Sequence, residues 1–372
     1  MQLWLLCGIV WRERYGAGIL GRHYIVIHVI SCLYSILKSM KKQYKVVFHS
    51  VSLIALVIAT VLIIRQNSSM PYQVNKGMVF GTFYSITYQH DKNLQKDIDA
   101  QLKAVNDALS MFDKNSVITA VNNNKDVRLN EMFINVFELA QRISKDTDGA
   151  FDITVAPLVN AWGFGYKNSS LPTKHEIDSI RQFVGYEKVA LRGRTVHKDD
   201  KRIMLDCSAI AKGYGADVIA RMFLREGIKN FMIEIGGEIV THGVNPKRKK
   251  WAIGVEKPAD DSLAVESALQ TVLKVSDTAM ATSGNYRNFY YKDGKKYAHT
   301  IDPKTGFPVQ HNILSATVLA KECAVADAYA TAFMVMGLEK AKEILSRHKD
   351  IKAYIIYDDN GKYGVWSSHD IQ

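Results

Sequence analysis

Asp327 and Thr331 stand four residues apart in the apolar stretch Cys323–Gly337, CAVADAYATAFMVMG. On a helix that spacing puts the carboxylate and the hydroxyl on one face. Polar groups in such surroundings must be satisfied. A hydrogen-bonded pair, or a Thr bonding back to the backbone, would do it. So would a hard cation, since Mg²⁺ takes oxygen ligands and shares them with substrate phosphates. His299 opens the run HTIDPKTG and, of eleven His, is the one in a dense polar motif, which makes it the candidate general base. In LDCSAIAKGYGAD, Asp206 ends a strand-like run, Ser208 starts a helical one, and Lys212 falls in the first turns. A helix N-terminus beside a lysine suits an anion. The order of a phosphate-binding Gly-x-x-x-x-Gly-Lys-Ser/Thr loop is absent.

Three further islands are weaker alone. DGAFDIT at 148–154, followed by Trp162-Gly163-Phe164-Gly165, could pack a loop or wall a flat ring. Gly236-Gly237-Glu238 allows a ligand or a strand to approach closely. Thr282–Arg287 reads as a polar loop.

Regular elements must carry these groups. Met78–Tyr88 alternates like one strand, with Gly81 as a bulge or a close approach. Asp91–Met111 has the helical stripe Ile98, Leu102, Val105, Leu109, and Asn130–Asp146 reads as a second helix. Strands are expected at 188–192, 203–206, 231–235, 251–255, 270–275 and 353–358. Helices are expected at 208–224, with Ser208 as N-cap and Gly227 as stop, and at 339–347. Strands and helices intermix without a βαβ rhythm, so the expected fold is α+β or mixed α/β.

The 372 residues carry a net charge of +11, but residues 1–70 hold eight Lys or Arg and one Glu. The remainder holds 40 basic against 36 acidic residues, so a nucleic-acid surface is poorly supported. Lys41, Lys42 and Lys45 precede the apolar run Val46–Ile64, the pattern of an export signal. Met40 is then the expected start, and residues 1–39 an over-extended beginning. Residues 40–66 read as a signal peptide or signal anchor, 67–75 as a polar linker and 76–372 as the folded domain. No small-residue cleavage site follows Ile64 and no cysteine lies directly after it, which favours an anchor over cleavage and disfavours a lipoprotein. Cys207 and Cys323 read as small buried residues; a disulfide between them needs export and adjacency.

Taken in order, Gly81-Thr82-Phe83-Tyr84, DGAFDIT…PLVNAWGFG, LDCSAIAKGYGAD, IGGE, TSGNYR, HTIDPKTG and ADAYAT resemble the ApbE family, the FAD:protein FMN transferases. The resemblance runs from about Lys76 to Trp366. It implies a single catalytic domain with mixed sheets and packed helices. The implied activity is Mg²⁺-dependent cleavage of FAD, transfer of FMN to a Thr or Ser of an acceptor protein, and release of AMP. Carried over by motif, Asp327, Thr331 and the Ala209 carbonyl would hold Mg²⁺. FAD would meet Phe80, Phe112, Ala150, Phe151, Asp152, Asp206, Lys212 and Ile301, with His299 as base. Phe80 stands where the family commonly has Met, and Phe112 where many members have Tyr. The second change drops a hydroxyl that bears on transfer against plain FAD hydrolysis. The competing readings are an FAD pyrophosphatase and a non-catalytic flavin-binding assembly protein. The implied setting is the periplasmic face of the inner membrane, with subunits of ion-pumping redox complexes among the acceptors.

Overall fold

The structure is a computed structural model that describes residues 42–67, 70–164, 171–258, 269–285, 289–292, 295–369 and 371. The expected start at Met40 with the residues before it, and Lys41, Gly165, Tyr286 and Arg287, lie outside the described residues. The chain divides into two units, one ending at Ser69 and one spanning Met70–Gln372. In the first, helix α1 runs Lys42–Asn67, and its apolar side chains at Val47 and from Val51 to Val61 are exposed. Taken over the described residues, no helix is long and apolar enough to cross a membrane.

The second unit opens with β1 (Tyr72–Val79) and β2 (Thr82–Gln89), then α2 (Gln95–Leu109), α3 (Val117–Asn122), α4 (Glu131–Asp146), α5 (Ala156–Ala161) and α6 (Lys174–Arg181). A small ribbon of β3 (Val189–Arg192) and β4 (Thr195–Lys198) leads to α7 (Ser208–Arg225). Next come β5 (Phe231–Ile235), β6 (Glu238–His242), β7 (Trp251–Glu256), β8 (Leu269–Val275) and β9 (Thr278–Gly284). The chain continues through β10 (Phe289–Lys292), β11 (Lys295–Ala298), β12 (Ile313–Ala320), α8 (Cys323–Met336), α9 (Leu338–Arg347), β13 (Lys352–Asp359) and β14 (Lys362–Ser367).

Eight strands form one sheet in the order β1-β2-β5-β6-β9-β12-β13-β14. Every neighbouring pair is antiparallel, the α+β form of the expectation. Strand alternation sends successive side chains to opposite faces. Val240 and Ala279 pair in register and pack under α7, with Ile219, Ala220 and Phe223. Their neighbours Ile239 and Met280 face the other way, with Leu319 and Ile356, under the β7–β8 ribbon and its Trp251 and Ile253. The sheet is therefore the middle of three layers. Helices α7 and α8 lie side by side on one face, α8 against β9 and β12.

Several expectations hold in detail. Ile98, Leu102, Val105 and Leu109 are all buried along α2. The helix expected over 130–146 is α4, with Asn130 as its cap rather than its first residue, Oδ1 accepting from Phe133 N at 2.9 Å. Others do not. Met78–Tyr88 is a hairpin, with Val79 paired to Thr82 and a turn at Phe80-Gly81, where φ is 52° and 73°. Two successive positive φ values give the twist a two-residue hairpin needs. β1 opens at Tyr72, so the stretch read as linker contributes strand residues. Residues 203–206 form no strand; Asn122 bonds both backbone groups of Leu205, and Asp206 N donates to Ile153 O at 2.7 Å. Ser208 is the first helical residue rather than the cap, and its amide donates to Asp206 Oδ1 at 2.7 Å. Thr282, Ser283 and Gly284 belong to β9, not to a loop. Cys207 and Cys323 are buried and free.

Candidate active site

The site is built where α7 crosses α8. Gly213 permits the crossing, because a Cβ there would lie 2.4 Å from the carbonyl oxygen of Cys323. Two carboxylates tie the helices together. Asp217 of α7 accepts from the first amides of α8, Cys323 N at 2.8 Å and Ala324 N at 2.9 Å. These are donors that a helix leaves without an internal partner. Burial raises the Asp217 carboxyl to about 6, against the pull of those amides. Asp327 of α8 in turn accepts from Gly213 N, through Oδ2, at 3.1 Å.

That bond bears on a cation. In a regular helix the Gly213 amide serves the carbonyl four residues back, that of Ala209. The carboxylate draws on the same donor, which loosens the hold on the Ala209 oxygen. Ala209, Asp327 and Thr331 all line one cleft of about 860 Å³. Among the described residues no three His, Cys, Asp or Glu side chains gather as a metal cluster. A carboxylate, a hydroxyl and a carbonyl are instead the oxygen donors a hard cation takes, so these residues fit Mg²⁺. Thr331 Oγ1 also lies 3.1 Å from Ser283 Oγ on β9, which orients it.

Lys212 adds the positive charge. Its Nζ is 2.7 Å from Glu238 Oε1 and 3.8 Å from Asp327 Oδ1. Burial disfavours the ammonium, but Asp327 and then Glu238 outweigh it and hold the Lys212 pKa above its usual range. Burial also lifts the Asp327 carboxyl, opposed by Lys212. For Glu238 burial leads and the Asp327 charge adds to it in lifting the carboxyl, while the Lys212 ammonium at 2.7 Å pulls the other way and favours the carboxylate. The paired glycines ahead of Glu238 form the β5–β6 turn, with φ of 63° and 103°. Gly236 lines the cleft, and a Cβ there would meet Thr82 at 2.7 Å.

The opposite wall comes from two loops. Ala150, Phe151 and Asp152 follow α4, and Asp152 is buried, its Oδ1 accepting from Thr154 N and Oγ1 at 2.7 Å each. Burial lifts its carboxyl to about 6. His299 and Ile301 sit on the turn that carries Asp302–Gly306. Ile301 bridges Pro308, Thr300 Oγ1 donates to Asn285 Oδ1 at 2.6 Å, and Trp162 Nε1 donates to Gly306 O at 2.7 Å. Lys304 pairs with Asp148 and ties this turn to the 148–154 loop. Phe164 meets the His299 ring edge-on at 6.4 Å.

Of the twelve residues singled out from the sequence, Phe112, Ala150, Phe151, Asp152, Asp206, Ala209, Lys212, His299, Ile301, Asp327 and Thr331 line this cleft. Phe80 does not. It turns into an adjoining hollow shared with Phe112 and Lys212, where it packs over Gly215. Glu238, Thr282, Ser283 and Asp217 go unassigned in the sequence reading. Glu238 carries a signal in retrospect: a charge straight after two glycines, opening the otherwise uncharged strand EIVTH.

Comparison with known proteins places the chain in a family. Residues 80–355 match the ApbE family model. The FAD:protein FMN transferase of Vibrio cholerae is 38% identical over 296 residues, covering 77% of this chain and 87% of that protein. That of Escherichia coli K12 is 34% identical over 309 residues, covering 79% and 87%. The structure of the flavin transferase ApbE from Vibrio cholerae superposes with a TM-score of 0.73 at 35% identity, covering 81% of this chain and 98% of that one. The apo form of the Pseudomonas stutzeri flavinyl transferase ApbE gives 0.72 at 27% identity, covering 82% and 96%. With a family match over most of its length and relatives of this identity, the chain belongs to the ApbE family.

Proposed function

We propose that this protein is an FAD:protein FMN transferase that works with Mg²⁺. The observation that carries the reading is the meeting of Lys212, Asp327, Thr331 and Ala209 in one cleft with His299. The curated relatives bear the same activity in their names. Asp327, Thr331 and the Ala209 carbonyl hold the cation, which when bound neutralises pyrophosphate charge. Lys212 and the first turn of α7 hold the remaining negative charge. Asp152 and Asp206 accept hydrogen bonds from the substrate, while Phe112, Phe151 and Ile301 supply apolar wall. His299 takes the proton of the acceptor hydroxyl as its oxygen bonds to the FMN phosphorus. The bond from that phosphorus to the bridging oxygen breaks, and AMP leaves with it.

The acceptor is a protein carrying a reactive Thr or Ser, and envelope redox subunits suit the export pattern of Lys41, Lys42 and Lys45 ahead of Val46–Ile64. That run supports a placement on the outer face of the inner membrane. Incubation with FAD, Mg²⁺ and a candidate acceptor, read by mass spectrometry, tests the reading. An acceptor adduct of one FMN with one AMP released is expected. FMN and AMP without adduct would replace transfer by hydrolysis, and intact FAD would overturn the assignment.

A further inference from the structure

Lys212 has two carboxylates within reach and sits against one of them. Nζ is 2.7 Å from Glu238 Oε1 but 3.8 Å from Asp327 Oδ1. The other oxygen of Asp327, Oδ2, already accepts from Gly213 N. Oδ1 is therefore the oxygen left to a cation, and it is the oxygen Lys212 faces. Glu238 is placed rigidly, at the first position of β6 behind a turn of two positive-φ glycines, and is 3% exposed. Its second oxygen, Oε2, is buried and makes no hydrogen bond to another residue. A carboxylate so expensive to bury, bonded through one oxygen to one ammonium, has a task there.

We propose that Glu238 is a positioning residue that tethers Lys212 away from Asp327 and so keeps Asp327 Oδ1 open to the divalent cation. The inference rests on the cation reading given above. Without the tether the ammonium closes from 3.8 Å to contact with Asp327 and competes for the same oxygen. At an effective dielectric near 20, closing to about 2.8 Å strengthens that pair roughly tenfold. A loss of about that size in cation affinity is the expected cost.

Reach and charge can be separated. Glu238→Gln keeps the reach to Lys212 and removes the charge. Glu238→Asp keeps the charge and draws the carboxylate back by about 1.5 Å, leaving Asp327 as the nearer partner. The assay is Mn²⁺ titration of the full chain without FAD, followed by electron paramagnetic resonance. Tethering predicts that Glu238→Gln and Glu238→Asp each lose about tenfold, because a neutral amide and a withdrawn carboxylate both leave the ammonium to Asp327. Lys212→Met added to Glu238→Asp restores binding, because the competing ammonium is gone. Wild-type affinity in either single variant, or no restoration in the double variant, overturns the proposal. If wild type binds no Mn²⁺, the cation reading itself fails and the inference falls with it, which is a distinct result.

Discussion

Replacing Gly213 by Ala sets two effects against each other. In a helix interior Ala is favoured over Gly by about 1 kcal/mol. At this position the new Cβ would lie 2.4 Å from Cys323 O, 2.6 Å from its carbonyl carbon and 2.8 Å from Ala324 N. Ordinary heavy-atom contacts lie near 3.5 Å, so the helices must part by roughly 1 Å. The neighbours are backbone atoms held by Asp217 and cannot rotate aside. Overpacking of this kind costs about 1–3 kcal/mol. Loosening the Gly213 amide from the buried Asp327 carboxylate adds about 1.5–3 kcal/mol. The close approach therefore wins, with a net loss of about 2–5 kcal/mol. In a domain of this size that lowers the melting temperature by about 4–10 °C. Thermal unfolding by circular dichroism measures it, and FMN transfer should fall at temperatures where the variant is still folded. A melting temperature at or above wild type would mean that propensity wins, and that backbone contact does not set this crossing.

Asp327→Ala should leave transfer at its cation-free background, measured as acceptor adduct with Mg²⁺ and with EDTA; full activity in EDTA would remove the metal assignment. His299→Ala should lower the transfer rate by about 10²–10⁴ while the KM for FAD changes little; an unchanged turnover number removes His299 as base. Asp217→Asn should change the pH dependence of stability. Burial raises the folded carboxyl from 3.8 to about 6, so between those values the fold holds a proton that the unfolded chain has lost. Stability that is present below pH 4 then declines as pH rises to 6, by up to about 3 kcal/mol for this group. Urea midpoints at pH 4.5 and 6.5 should shift in favour of the Asn variant over that span, and a constant gap would refute it.

Much of the scaffold is legible in the sequence because its cues are local. The stripe of α2 and the helical pattern of α4 need no knowledge of distant residues. Met78–Tyr88 misleads because both arms of the hairpin share one alternating pattern, and its turn uses Phe80 at positive φ where Asn or Asp is the usual signal. Thr282 and Ser283 read as loop because they are polar, yet they are polar because this end of β9 faces the cleft. Residues 203–206 have the composition of a strand, but a side chain and one loop carbonyl take the place of a strand partner. Ordered motifs bring eleven of the site residues to one cleft, since motif order follows chemistry. Phe80 escapes because its place depends on a turn that the pattern hides. Asp217 escapes because nothing in its local window tells a buried carboxylate from a solvated one, and Glu238 because its cue, a charge behind two glycines, does not say what it pairs with.

The exchange of bonds between α7 and α8 has a dynamic consequence. Each helix holds the other at its own backbone: Asp217 receives the opening amides of α8, and Asp327 receives an amide inside α7. The first amides of a helix commonly fray and exchange with solvent fastest. Here those of Cys323 and Ala324 are held by a buried carboxylate, so their deuterium uptake should be slower than at an unclasped helix start. An incoming substrate then meets groups whose freedom was already lost on folding, which favours tight association over adaptive ordering.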